Sequence, residues 1–173
     1  EPFKMLATTL GGDSFLGRVL TGRIEAGTLK TGQQLKAISI NNELIENFRV
    51  NKILAFRGLK QQAIDTAQAG DIVSLAGMSK ATVADTIADQ SVEDPISAQP
   101  IDPPTITVTF AINDSPLAGR DGKKVQSRVI RDRLLKECES NVAIKMVDTP
   151  GGEAFDVSGR GELQMGVLIE NMR

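Results

Sequence analysis

Residues 17–35 read Gly-Arg-Val-Leu-Thr-Gly-Arg-Ile-Glu-Ala-Gly-Thr-Leu-Lys-Thr-Gly-Gln-Gln-Leu, with glycines at 17, 22, 27 and 32 and the apolar side chains Val19, Leu20, Ile24 and Leu29 between them. This is a β pattern with regular punctuation. Glycine inside a strand marks a bulge or a corner where a side chain would obstruct the backbone, and glycine between strands supplies the positive φ of a turn. Gly17, Gly22, Gly27 and Gly32 are therefore structural glycines, and their repetition suits a small barrel whose strands bend at each corner. A glycine-rich hairpin of no special kind is the simpler alternative.

The run resembles the signature of the second domain of translational GTPases, the β-barrel that follows the nucleotide-binding domain. The segments Ala69-Gly70-Asp71-Ile72-Val73 and Ala84-Asp85-Thr86-Ile87 are similar to the A-G-D-I-V and G-D-T-I segments of that domain, with Ala84 standing in place of a glycine.

Composition narrows the chemistry. The chain has 173 residues, 40 % of them hydrophobic and 24 % charged, as in an ordinary soluble protein of one large or two small domains. There is no histidine, Trp or Tyr, and Cys138 is the single cysteine. Ser-His and Cys-His catalysis, His-ligated zinc and an intrachain disulfide are thereby excluded. No apolar run approaches the roughly 20 residues that span a bilayer. A cytoplasmic protein with no membrane partner is expected, and with a net charge of −2 general attraction to DNA is not.

Taken in order, residues 3–10 read as a strand that Gly11-Gly12-Asp13 breaks. Gly12 to Gly17 has phosphate-loop spacing, but Arg18 and Val19 follow instead of Lys and Ser/Thr, so no nucleotide site is expected. Residues 34–40 and 44–55 read as strands joined by an Asn41-Asn42 turn, and 69–75 and 83–87 as two more. Asp71 and Asp85 sit at turn-to-strand junctions, where Asp commonly bonds backbone amides.

Periodicity vanishes over residues 91–104, where Pro95, Pro100, Pro103 and Pro104 accumulate. The expected division is a barrel domain at 1–98, a Pro-rich linker at 99–104 and a second domain at 105–173. That domain reads as strand 105–112, helix 127–139, strands 142–147 and 154–158, and helix 161–173. The order β-α-β-β-α is a ferredoxin-like α+β unit lacking its last strand. With a first residue of Glu1, it suggests a piece of something longer.

Two faces of this second domain carry charge or spare apolar surface. Residues 120–136 hold Arg120, Lys123, Lys124, Arg128, Arg131, Arg133 and Lys136 against Asp121 and Asp132, a local charge of +5 beside −7 for the remainder. Arginine clusters bridge phosphates bidentately, and the alternative is a solvated face balanced by acidic neighbours. Ile130, Leu134 and Cys138 form a core stripe at helical spacing, which makes Cys138 a packing residue. In the last helix Met165, Leu168, Ile169 and Met172 form one apolar stripe, while Leu163 and Val167 form another, a candidate interdomain contact. Ser158-Gly159-Arg160-Gly161 reads as a glycine turn at Gly159 and Gly161. Without a histidine it is no nucleophile elbow, and Glu162 would itself answer the helix N-terminus where an anion would bind.

Asn113-Asp114-Ser115-Pro116-Leu117-Ala118-Gly119, Ser127-Arg128, Asp132-Arg133-Leu134, Ser158 to Leu163 and Leu168 to Arg173 together closely resemble the TypA/BipA family of ribosome-binding GTPases. Some relatives have His where this chain has Gln164. The resemblance implies non-catalytic middle domains of a larger GTPase. GTP and Mg would bind elsewhere in the parent protein, and neither a cofactor nor a metal in these residues. It also implies docking on ribosomal RNA and ribosomal proteins, coupling of nucleotide state to ribosome binding, and a part in ribosome assembly and stress adaptation. Candidate RNA contacts are Arg18, Arg23 and Lys30 on the barrel and Lys123, Lys124, Arg128 and Arg131 on the second domain. The alternatives are spacer domains of another elongation-factor-G-like protein and a self-contained enzyme, for which no nucleophile, base and metal set converges.

Overall fold

The structure, a computed structural model, describes residues 1–13, 15–58, 60–120, 126–151 and 153–172, without the side chain of Ser140. The chain divides into two compact units, Glu1–Pro100 and Ile101–Arg173.

The first unit is built almost wholly of strands: β1 (Lys4–Asp13), β2 (Gly17–Ala26), β3 (Thr28–Lys30), β4 (Gln34–Ile38), β5 (Leu44–Arg49), β6 (Lys52–Arg57), β7 (Lys60–Ile64), β8 (Thr66–Gln68), β9 (Ile72–Ala76) and β10 (Thr86–Ala88). Eight of them form one antiparallel sheet in the order β5-β4-β10-β1-β2-β9-β6-β7, and β3 pairs with β8 in a separate ribbon. Alternation puts Met5, Ile24, Leu35, Ile53, Leu75 and Ile87 in the core, all fully buried.

Gly22 lies where β2 crosses β1, and a Cβ there would collide with the carbonyl of Leu6. Gly27 combines positive φ (76°) with a similar clash against Phe3, so the corner needs glycine twice over. Gly17 and Gly32 also have positive φ. Asp71 accepts from the Gln68 amide at 2.9 Å and Asp85 from the Thr82 amide at 2.7 Å, the backbone-bonding roles expected for them. Ala84, beside Asp85, holds φ of 72°.

Two sequence expectations are corrected here, and one strand is added to them. Gly11-Gly12-Asp13 does not break the first strand but extends it, pairing with Val19, Arg18 and Gly17. The segment 44–55 is two strands, because the chain leaves β4 at Val50 and Asn51 and joins β9, with the Asn51 amide donating to the Ala76 carbonyl at 2.8 Å. Residues 60–64, read as no element, form the edge strand β7.

The second unit contains β11 (Ile106–Ala111), α1 (Ser127–Ser140), β12 (Lys145–Asp148), β13 (Ala154–Gly159) and α2 (Glu162–Met172). Its sheet runs β11-β13-β12, antiparallel throughout. Leu134 of α1, Met165 and Leu168 of α2, and Phe155, Val157 and Ile144 form the core, with Ile130, Cys138, Met146 and Met172 packed at its margin. Burial pushes the Cys138 thiol up, consistent with a packing residue. Ile169 departs from its expected stripe: it is 43 % exposed, at the margin of the face that Met165 and Leu168 bury. Leu163 and Val167 are exposed at 83 % and 52 %.

The two glycines of the turn into α2 have different surroundings. A Cβ on Gly159 would strike the Met165 side chain, whereas Gly161 has open space around it and no positive φ. Gln164 supplies the cap, its Oε1 accepting the Arg160 amide at 2.7 Å.

Candidate nucleic-acid interface

The basic cluster of the second unit is carried by α1, whose solvent side presents Arg128, Arg131 and Lys136. Three of its arginines have acidic partners. Arg131 donates to Asp148 on β12 through Nε and Nη2, each at 3.2 Å. Arg133 pairs with Glu137 one turn on at 2.6 Å, and Arg128 lies 4.0 Å from Asp132. The hydrogen bonds from Arg131 hold the Asp148 carboxyl below the usual carboxylate range, and the same bonds raise Arg131.

Exposed pairs of this kind contribute little, since water screens them and two long side chains must be ordered. They remain exchangeable: a phosphate can replace the carboxylate on an arginine that is already held in place. Arg120 and Lys136 have no ion-pair partner among the described residues. Lys123 and Lys124 lie outside the described residues.

The three candidates of the first unit do not gather. Arg18, at the start of β2, donates from Nη1 to the Ser79 carbonyl at 3.2 Å, and its Nε is buried without a partner. Its charge also acts on Asp85, whose carboxyl is pushed up by burial and pulled back in part by the Thr82 amide and Arg18. Arg18 is thus engaged by the sheet itself. Arg23 is exposed on the outer face, opposite Ile72 of β9 and Leu6 of β1. Lys30 is exposed on the β3–β8 ribbon opposite Thr66.

One carboxylate with no signal in the sequence organises the same end of the sheet. Glu46 of β5 accepts the amides of Ser79, Lys80 and Ala81 and the Ser79 hydroxyl, at 2.7 to 3.1 Å for the closest oxygen of each. Burial pushes its carboxyl up, but the hydrogen bonds from Ala81, Lys80 and Ser79 together hold it below the usual range.

Ser158 exchanges a hydroxyl hydrogen bond with Thr107 at 2.9 Å, and no His/Cys/Asp/Glu group able to hold a metal is found among the described residues. Nor is any helix of the described residues long and apolar enough to cross a membrane.

The family described as elongation factor Tu domain 2 matches residues 17–88, from the start of β2 to the end of β10. That domain is of β-barrel type, and the first unit has the corresponding all-strand make-up. Along its whole length the chain is 42 % identical to the large ribosomal subunit assembly factor BipA of Synechocystis and covers 29 % of it. It is 40 % identical to the BipA of Bacillus subtilis over the full chain, and 41 % identical to that of Escherichia coli over 99 % of the chain, covering 28 % of each. The chain therefore spans under a third of the length of these relatives, and along that span it is similar to BipA assembly factors.

Proposed function

We propose that the chain forms non-catalytic domains of a cytoplasmic, ribosome-associated translational GTPase of the BipA type. They dock on ribosomal RNA and protein and couple nucleotide state to that docking, in ribosome assembly and stress adaptation. The observation that carries this reading is the match along the entire chain to large ribosomal subunit assembly factors. GTP and Mg are then held by another part of the parent protein, since Arg18 and Val19 stand where a phosphate loop would need Lys and Ser/Thr.

We assign residues 1–98 to a barrel domain, 99–104 to the linker and 105–173 to a ferredoxin-like domain. In support of the last, the strand order β11-β13-β12 leaves β11 with a neighbour on one side only among the described residues, where the fourth strand of such a fold pairs. The exposed Leu163 and Val167 on α2 suit packing against another domain of the same polypeptide. The RNA contacts are Arg128 and Arg131, with Lys123, Lys124, Arg23 and Lys30. Arg18, engaged by Ser79 and Asp85, is better suited to holding the barrel.

Co-sedimentation of the chain with ribosomes over a salt series tests this. Arg128→Ala combined with Arg131→Ala should weaken pelleting and flatten its salt dependence by about two phosphate contacts. Unchanged pelleting removes the α1 assignment, and no pelleting by the parent chain favours the spacer reading.

A further inference from the structure

Beside β4 and β5 an open cleft of about 190 Å³ is lined by Lys36, Ile38, Asn42, Leu44, Asn47, Gln90 and Glu93. Its floor is set by register. Lys36 lies opposite Asn47 and Ile38 opposite Leu44 across the β4–β5 pair, and Lys36 lies opposite Ala88 across β4–β10. The chain leaving β10 contributes Gln90 and Glu93 to its lining.

That segment is fastened at both ends. Asp89 accepts the Phe3 amide and the Gln33 side-chain amide, each at 2.6 Å, and its own amide donates to the Phe3 carbonyl. Val92 is buried, and the Ile96 amide donates to the Thr86 hydroxyl at 2.8 Å. A segment held in this way loses little freedom when a ligand enters.

None of the side chains of Lys36, Asn42, Asn47, Gln90 and Glu93 has a hydrogen-bond or ion-pair partner among the described residues. Three amides, one ammonium and one carboxylate thus line one cleft, unpaired, beside the exposed apolar side chain of Leu44. We propose that this cleft takes a single unstacked guanine of an RNA loop.

The chemistry selects that base. A carboxylate accepts from two adjacent N–H groups, and only guanine offers them side by side, at N1 and N2. The neighbouring O6 accepts from a carboxamide of Asn47 or Gln90. The flat face of the base lies on the exposed Leu44, and Lys36 meets the flanking phosphate. With no aromatic in the lining, recognition comes from the base edge and not from stacking between rings. This deepens the reading of the chain as an RNA-docking protein and rests on it.

Isotope-labelled chain is titrated with pentaribonucleotides carrying a central G, A, C or U between uridines, and with GMP alone, while side-chain amide resonances are followed. The G pentamer should shift Asn47 and Gln90 and bind about tenfold more tightly than the other three. Glu93→Gln should abolish that preference and leave the A pentamer unchanged, and Lys36→Ala should weaken all four alike. Equal affinity for the four bases, shifts confined to other residues, or no binding overturns the site. GMP binding as tightly as the G pentamer assigns the cleft to free nucleotides and overturns the RNA loop as its occupant. Ribosome pelleting that persists without a base preference sinks only this site, whereas a guanine preference without pelleting sinks the ribosome reading and leaves the site standing.

Discussion

Arg131 and Asp148, brought together from α1 and β12, share two parallel hydrogen bonds of 3.2 Å. The carboxylate orients the guanidinium while leaving it in water, so in the proposed RNA contact it would be the competitor that a phosphate displaces. Asp148→Asn removes the competing charge. It should raise affinity for ribosomal RNA and steepen the log–log salt dependence by about one. The pH dependence has a definite sign: with a folded pKa below the unfolded 3.8, the pair's contribution is present above 3.8 and is lost as pH falls through the lower folded value. An NMR titration of Asp148 should show the depressed midpoint, and Arg131→Ala should return it to the ordinary range. A midpoint that ignores Arg131 would mean the pair does not form in solution.

Glu46 and Asp85 shift in opposite directions at one end of the sheet. Glu46, held low against its own burial, contributes stability above its unfolded value of 4.5, which disappears as pH falls through its folded pKa. Asp85, held high by burial, does the reverse: stability rises as pH falls through its folded value toward 3.8. Glu46→Ala strips the acceptor from Ser79, Lys80 and Ala81 and should cost about 2 kcal/mol, read as a lower midpoint in urea. Because Glu46 is one of the charges raising Asp85, Glu46→Gln should also lower the Asp85 pKa. An unmoved Asp85 would show that the two carboxylates do not interact.

Ala84 occupies a left-handed conformation, at φ of 72°, that an L-alanine adopts only at a cost. Replacing it by glycine removes the Cβ penalty but adds conformational entropy to the unfolded chain, and the first effect is the larger where φ is positive. Ala84→Gly should therefore stabilise the first unit by about 0.5–1 kcal/mol. Thermal unfolding decides it, and a lower midpoint would mean that the loop holds the alanine without strain.

The parts legible in the sequence were those fixed by local chemistry. Gly17 and Gly27 announced turns because φ is a property of one residue, and Ile130, Leu134 and Cys138 announced a helix face through their spacing. β7 was hidden because it lies at the sheet edge with Lys60, Gln61 and Gln62 all exposed, so no alternation marks it. The break at Val50 and Asn51 was hidden because buried apolar residues lie on both sides of it (Phe48, Val50, Ile53, Ala55) and no glycine or proline marks it. The candidate interface was legible as composition but not as pairing. Arg131 meets Asp148 only because the strand folds back beside the helix, and the four donors to Glu46 come from a loop more than thirty residues away.

Gly22 and Gly161 look alike in sequence, each flanking an apolar segment, yet the structure gives them unequal demands. A Cβ at Gly22 would meet the Leu6 carbonyl, and because that atom is backbone, relief requires β1 and β2 to separate at the centre of the sheet. Gly22→Ala should cost about 3 kcal/mol or more and broaden the resonances of both strands. Gly161, where an added methyl would meet nothing within 4 Å and φ is not positive, should accept alanine within about 0.5 kcal/mol. Denaturant unfolding of the two variants side by side measures the difference. Equal losses would show that the turn before α2 needs its glycine for a conformation other than the one described, and a mild Gly22→Ala would show that the β1–β2 crossing has room to relax.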